Sequence, residues 1–157
     1  SPYDYEHYGF LGFILWQQGI DEAEYYLKQA VRLGGFTPKP FTDLGYYYLS
    51  KEKWTEGEQV LTQGLEQSVF AYQNAPGKSN KAKIVEEQVK MHLGLALVYN
   101  EQGLRDKEKE HLEKAIELDP ENAVALRHLE KFWSMQCFLS TKEKPCICRN
   151  KTVIIGS

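Results

Sequence analysis

A pattern of small and large residues recurs three times along this chain. In each copy a leucine precedes a small residue, and a large residue follows three positions later: Leu11, Gly12, Leu15; Leu44, Gly45, Tyr48; Leu95, Ala96, Tyr99. About a dozen residues further on comes a second triplet with helical spacing: Ala23, Leu27, Ala30; Gly57, Leu61, Gly64; Glu108, Leu112, Ala115. Because small residues let helices approach closely and large ones fill the gap, the pattern predicts three pairs of packed helices.

The intervals between the copies show where the repeat is interrupted. Gly12 and Gly45 lie 33 residues apart, whereas Gly45 and Ala96 lie 51 residues apart. A fixed period in this range indicates an array of stacked supersecondary units. We interpret the longer interval as one period with about 17 extra residues, which lengthen two facing helices joined by a polar segment at 74–80.

The copies resemble the tetratricopeptide repeat family, whose units of about 34 residues are helix hairpins. The resemblance covers about residues 6–120, and the third copy ends at Pro120, as the family's pattern requires. The second copy matches at these positions: Phe41, Leu44, Gly45, Tyr48, Gly57, Leu61 and Gly64. The first copy matches only if its turn at 18–22 is one residue short, and Glu108 departs from the pattern because that position is normally small.

The resemblance implies an all-α fold, a right-handed superhelical solenoid of three helix pairs plus a C-terminal capping helix. The implied domain spans 6–138, with repeats at about 5–37, 38–80 and 81–120, a capping helix at 121–138 and a non-repeat tail at 139–157. Such arrays present extended surfaces to other proteins. We therefore expect a protein–protein interaction module or scaffold with a protein or peptide partner.

Composition and charge narrow the classes of partner. The chain is 42% hydrophobic and 26% charged, which is ordinary for a folded domain. Its net charge of −3 and pI near 5.8 do not suit a nucleic-acid binder, which usually presents a basic face. No run of apolar residues is long enough to cross a membrane, so we expect no membrane insertion.

The cysteines and histidines offer little catalytic chemistry. Cys137, Cys146 and Cys148 all lie near the C-terminus, which favours a reducing compartment such as the cytoplasm and leaves the periplasm open. Cys146 and Cys148 are spaced more tightly than paired zinc ligands usually are. No histidine stands in a recognisable nucleophile motif, and no phosphate-binding loop occurs. We expect no enzymatic activity, no cofactor and no metal site.

The resemblance also implies which residues bind a partner, because the first helices of successive repeats line a concave groove in this family. Glu6 and Gly9 hold groove positions near the start of the first helix. The predicted binding residues are Phe13, Trp16, Gln17, Lys39, Tyr46, Leu49, Ser50, Lys90, Leu97, Asn100 and Glu101. They form an aromatic and aliphatic strip with lysines toward one end, which suits an amphipathic helix or an extended peptide. The alternative is that some of these side chains pack against the chain's own helices.

One subfamily ligand is disfavoured. Repeats that grip the acidic carboxyl terminus of heat-shock chaperones use a clamp of Lys, Arg and Asn side chains. The corresponding positions here are Gly9, Phe13, Asp43, Lys90 and Gly94, of which only Lys90 fits. Without the charge-assisted hydrogen bonds of the clamp, a chaperone carboxylate is not the expected ligand.

Two other functions stay open. The chain begins at Ser1 without an initiator methionine, which favours an excised fragment. It could then be an accessory, substrate-selecting domain of a larger enzyme such as a glycosyltransferase. It could also be a structural module that self-associates through the groove or through the lengthened helices.

Overall fold

The computed structural model describes residues 4–139, with side chains through residue 134, and every regular element in this range is an α-helix. The helices are α1 (Asp4–Gln17), α2 (Ala23–Gly34), α3 (Pro38–Ser50), α4 (Trp54–Asn74), α5 (Gly77–Glu101), α6 (Arg105–Leu118) and α7 (Ala123–Leu139). The predicted all-α class is confirmed. The cysteine-bearing tail lies outside the described residues, as does the side chain of Cys137.

The helices pack as consecutive hairpins. α1 packs on α2, α3 on α4 and α5 on α6, while α3 also contacts α1, α2 and α5, and α7 packs on α6. Three apolar clusters follow one another along the array: the first joins α2 and α3, the second joins α3, α4 and α5, and the third joins α5, α6 and α7. The two helices of each hairpin pack on each other, and each hairpin packs in turn on the next one along the chain, as expected of stacked helical repeats. The right-handed superhelical sense stays a prediction.

Adjacent helices touch at the small residues of the sequence pattern. Gly45 of α3 faces Leu61 of α4 so closely that an added Cβ would lie 2.6 Å from Leu61 Cγ. At Gly64 an added Cβ would lie 2.6 Å from both Phe41 Cβ and Met91 Sδ. Leu61 and Met91 are fully buried, so neither can swing aside into solvent. These glycines set the spacing between α3, α4 and α5.

The three hairpins turn in the same way. Each turn contains a residue with positive φ: Gly19 (72°), Glu52 (58°) and Gly103 (72°). The next backbone N–H donates to a carbonyl five residues earlier: Ile20 to Leu15 (2.9 Å), Lys53 to Tyr48 (2.9 Å) and Leu104 to Tyr99 (2.8 Å). This bond is typical of the left-handed helix C-cap. The three turns therefore occupy equivalent places in the three copies of the sequence pattern.

The first hairpin has one residue fewer between the two triplets of the pattern, as its match to the family requires: Leu15 and Ala23 are 8 residues apart, whereas Tyr48 and Gly57, like Tyr99 and Glu108, are 9 apart. In the second and third hairpins the next helix opens with an N–H bonded four residues back, from Gly57 to Lys53 (2.9 Å) and from Glu108 to Leu104 (3.0 Å). In the first hairpin Ala23 N–H instead bonds three residues back, to Ile20 O (3.2 Å). A turn of the 3₁₀ type uses fewer residues than an α-turn, so it absorbs the missing residue.

The insertion lengthens two facing helices, as predicted, but the loop between them is shorter than the predicted polar segment. α4 has 21 residues and α5 has 25, and only Ala75 and Pro76 lie between them. The prediction of a loop was wrong for 77–80, which form the first turn of α5. Asn80 supports this turn, because its side-chain amide donates to Pro76 O at 2.8 Å. The polar residues of this turn are exposed, so the polar composition that suggested a loop also suits a solvent-exposed helical turn.

The last hairpin is covered by α7. Asn122 caps this helix, since its Oδ1 accepts the Ala125 N–H at 3.0 Å. Ala125 and Leu129 are buried in one cluster with Leu112 and Ala115 of α6. α7 therefore covers apolar side chains of α6 that would otherwise be exposed.

Glu108, the departure from the small-residue pattern, is buried. Its side chain is 5% exposed, and its Oε2 lies 3.4 Å from Arg105 Nη1. The Arg105 guanidinium in turn lies 5.7 Å from the centre of the Phe132 ring of α7. The buried carboxylate is thus paired, as buried charges require.

Replacing Gly45 with alanine tests the close helix contact. We expect Gly45→Ala to lower the free energy of unfolding by about 1–3 kcal/mol, because the new methyl group overlaps the immobile Leu61. Gly9→Ala is the matched control, because its Cβ would lie 3.7 Å from Ala30 Cβ, an ordinary contact. The control should be neutral or stabilising by up to about 1 kcal/mol through helix propensity. Urea denaturation measures both, and equal effects would contradict the packing argument.

A pair of histidines joins α5 and α6. His92 Nδ1 and His111 Nδ1 lie 2.9 Å apart, and the Tyr99 ring lies 5.3 Å from the His111 ring. Burial, together with the smaller effect of the nearby His111, lowers the pKa of His92 to about 4. Burial also lowers the pKa of His111. The folded chain therefore binds fewer protons here than the unfolded chain does below the ordinary histidine pKa of 6.5.

This pair predicts a loss of stability in acid. The contribution of the pair to the free energy of unfolding is fully present above pH 6.5. It is lost as the pH falls toward 4, because the unfolded state then takes up protons that the folded state excludes. Between pH 6.5 and pH 4, the free energy of unfolding should fall by about 1–2 kcal/mol less in the His92→Asn, His111→Asn double variant than in the parent. Urea denaturation across the pH range measures the difference. An unchanged slope in the double variant would contradict the assignment.

Candidate functional site

A cavity of about 1050 Å³ lies along the first halves of α1, α3 and α5, and we call it the groove. These are the first helices of the three hairpins. Four aromatic residues line it: Tyr5, Phe10, Phe13 and Phe36. Six charged residues line it as well: Glu6, Lys39, Asp43, Lys83, Glu86 and Glu87. The groove is thus both aromatic and charged.

The aromatic side of the groove comes from α1 and from the loop after α2. Phe10 and Phe13 are 69% and 42% exposed, and Phe36 is 51% exposed. Gly9 lies between them on the same helix face and adds no side chain, so it leaves room in the cavity. Phe36 is in the short segment that follows Gly34 and Gly35. Exposed aromatic rings that converge on a cavity are the usual anchors of a binding surface.

Another part of the lining is built from the inserted length of α4 and α5. Ala71 of α4 lines the groove, and the neighbouring Phe70 ring lies 4.4 Å from the Phe36 ring. Asn80 and Ile84 line it from the first half of α5, together with the charged residues of that helix. The interruption of the repeat period therefore supplies one wall of the groove.

Carboxylates and lysines are paired along this wall. Both oxygens of Asp43 accept hydrogen bonds from Lys39 Nζ at 2.9 Å. Lys90 Nζ lies 2.8 Å from Glu86 Oε1 and 3.0 Å from Glu87 Oε1. Burial raises the pKa of the Asp43 carboxyl, although Lys39 opposes that shift.

Glu87 has an unused acceptor. Its side chain is 13% exposed, and its Oε2 is buried without a hydrogen-bond partner among the described residues. Its other oxygen is the one that Lys90 contacts. A buried acceptor without a donor is unfavourable, so the carboxylate can gain from a donor that enters the groove.

Tyr46 fixes the position of this wall rather than lining the cavity. Its hydroxyl donates to Lys90 O at 2.8 Å and so joins α3 to α5. Burial raises the pKa of Tyr46 to about 12, so the hydroxyl stays protonated and able to donate. The bond holds α5 against α3 close to the lysine that pairs with Glu86 and Glu87.

Of the residues predicted to bind a partner, Phe13 and Lys39 line the groove, and so do Glu6 and Gly9. Trp16 is half-buried, with its ring 6.0 Å from the Tyr47 ring. Leu49 is 5% exposed and belongs to the core between α3, α4 and α5. Neither side chain lines the groove, because each packs between helices.

The remaining predicted residues are not among those that line the cavity. Lys90 pairs with the acidic residues of α5, and Tyr46 bonds to its carbonyl. The others are exposed at or near the C-terminal ends of α1, α3 and α5: Gln17, Ser50, Leu97, Asn100 and Glu101. The cavity lies instead at the N-terminal halves of these helices. Partner binding by these residues stays a prediction.

Sequence reasoning missed several lining residues, including Phe10, Phe36, Ile84, Glu86 and Glu87. Those on α5 precede the recognisable repeat pattern, so no family position points to them. The signal that could have found them was the 51-residue interval, which places extra helix beside the groove. Phe10 and Phe36 are exposed at positions that the repeat pattern does not assign to packing.

Packed helix hairpins with a groove along their first helices define a helical repeat protein. Residues 89–122 match the family model for the tetratricopeptide repeat, which confirms the predicted family resemblance. This match covers the second half of α5, all of α6 and the turn that follows. Residues 77–88, which build the acidic wall, precede it.

A solved structure described as "MamA RS-1 ArsTM double mutant" aligns with 88% of this chain and 98% of its own, at 15% identity and a TM-score of 0.37. No curated protein matches the chain. None of the described helices, from α1 to α7, is both long enough and apolar enough to cross a membrane. Within the described residues, no group of three or more His, Cys, Asp or Glu side chains could hold a metal ion.

The contact between Tyr46 and α5 can be tested by removing one oxygen atom. Tyr46→Phe should lower the free energy of unfolding by about 1 kcal/mol, because the Lys90 carbonyl loses its hydroxyl donor while the ring still packs. Thermal or urea denaturation measures the change. Tyr25→Phe serves as the control, since Tyr25 is 58% exposed, and it should leave stability almost unchanged. Equal stability of the two variants would show that the hydroxyl bond contributes nothing.

Proposed function

We propose that this chain binds an extended or helical segment of a partner protein in the groove. Tetratricopeptide repeats serve generally as protein-interaction modules, and the groove gives this one a specific surface. The observation that carries the proposal is the convergence of Phe10, Phe13 and Phe36, all substantially exposed, on one cavity. Exposed aromatic side chains in a concave site bind apolar groups of a ligand at low entropic cost.

The size and construction of the groove favour a protein segment. Its volume of about 1050 Å³ accommodates several side chains of a ligand. Its lining comes from three successive first helices, so a bound segment would contact all three hairpins. Such a segment would gain both apolar burial and polar contacts along its length.

The charges argue against an acidic chaperone terminus as ligand. Lys90, the single clamp-like lysine, already pairs with Glu86 and Glu87. Asp43 and its neighbours would repel a carboxylate brought near them. The groove accordingly supports a partner of different chemistry.

Replacing the aromatic anchors tests the groove. Peptides selected on the parent chain from a random displayed library should lose about 1–3 kcal/mol of binding free energy in Phe13→Ala, and again in Phe36→Ala. Fluorescence anisotropy with the labelled peptides gives the dissociation constants. Tyr25→Ala, an exposed aromatic position outside the groove, should bind as the parent does.

Two outcomes would contradict the proposal. If selected peptides bind Phe13→Ala and Phe36→Ala as tightly as the parent, the partner surface lies elsewhere. If the chain forms dimers in sedimentation experiments and Phe36→Ala abolishes them, the groove is an interface between copies, as the self-association alternative requires. An accessory role in a larger enzyme is compatible with groove binding, and the length of the full gene product would decide it.

A further inference from the structure

The residues that line the groove carry a net negative charge. Acidic residues outnumber lysines in the lining. The four carboxylates are Glu6, Asp43, Glu86 and Glu87, and the two lysines are Lys39 and Lys83. Lys90 neutralises part of this excess from just outside the lining. The net sign of the groove is therefore negative even when Lys90 is counted.

The acidic groups are concentrated at one end. Asp43, Glu86 and Glu87 belong to α3 and α5, and Asp43 lies close enough to Glu87 and Lys90 for their charges to act on it. Phe10 and Phe13 stand on α1, and Phe36 follows α2. A ligand in the groove thus meets carboxylates of α3 and α5 as well as the aromatic rings of α1 and of the loop after α2.

Both sides favour the same kind of ligand group. Carboxylates attract cations directly, and the faces of aromatic rings attract them through the negative potential of their π-electrons. Asp43 and Glu87 have little exposure to water, since their side chains are 17% and 13% exposed. Their attraction for a cation is weakened less by solvent than that of surface charges would be.

Glu87 adds a directional element. Its Oε2 has no donor among the described residues, whereas Oε1 is held by Lys90. An arriving ammonium or guanidinium group carries several N–H donors. Because Glu87 lines the groove, such a group bound there comes close to a carboxylate that still has an unpaired oxygen.

We propose that the groove selects a partner segment in which Lys or Arg stands next to apolar side chains. The cationic group lies against the acidic wall of α3 and α5, and the apolar groups lie against the phenylalanines. This inference rests on the proposed function and specifies the chemistry of its ligand. It follows from charge complementarity combined with the aromatic lining, neither of which belongs to the 89–122 segment matched by the family.

Selection of displayed random peptides on the intact chain provides the test. We expect the recovered sequences to be enriched in Lys or Arg beside aromatic or aliphatic residues. One recovered peptide is then synthesised together with a version in which every Lys or Arg is replaced by Gln. The parent chain should bind the Gln version about tenfold to a hundredfold more weakly, the range expected for loss of charge-assisted hydrogen bonds.

Matched variants of the chain locate the effect. Glu87→Gln keeps the shape of the side chain, and Glu6→Gln changes an exposed groove position, so at least one of the two should fold as the parent does. Each should weaken the basic peptide severalfold and leave the Gln peptide unaffected. Glu66→Gln makes the same charge change at an exposed position of α4 outside the groove, and it should bind the basic peptide as the parent does.

The outcomes separate the two proposals. If recovered peptides depend on Phe13 and Phe36 but contain no basic residues, or bind equally well in the Gln version, the groove is a binding site and the charge inference is wrong. Acidic recovered peptides would overturn it in the same way. If no recovered peptide depends on Phe13 or Phe36, the groove itself is not the binding site and both proposals fall together.

Discussion

Close contact between helices at a few small residues is the constraint on which this structure depends. Gly45 faces the fully buried Leu61, and Gly64 faces Phe41 and Met91, with no room for a methyl group at either position. Because interiors are packed to the density of molecular crystals, such contacts fix the distance between helices to within a fraction of an ångström. The hairpins therefore stack in one register, and their first helices come to lie side by side.

The groove is a consequence of that stacking. Large residues of the pattern, such as Leu44, Tyr48 and Leu61, are buried in the clusters between helices. Side chains outside those clusters, such as Phe10 and Phe13, remain exposed. The groove gathers them with the lengthened α5, and Tyr46 holds that helix in place through its bond to Lys90 O. Stability and binding surface thus use different residues of the same helices.

The insertion distinguishes the groove of this chain from that of a regular array of repeats. Extra turns on α4 and α5 add Ala71, Ile84 and the acidic pair Glu86 and Glu87 to the groove. The family match begins only at residue 89, so these residues are specific to this chain's departure from the repeat. A regular helix supports them on a rigid surface, which limits the entropy lost when a ligand binds.

The sequence by itself determined the all-α class, the three hairpins and the shortened first turn, because these follow from local spacing of small and large residues. It also indicated the lengthened helices, although it predicted a loop at 77–80 where α5 has already begun. The tertiary structure alone decided which side chains share the groove. Phe10 and Glu87 are 77 residues apart in the chain, which matches none of the intervals between the copies. They line one cavity because two long helices pack beside α1 and α3, and that packing depends on contacts between residues distant in sequence.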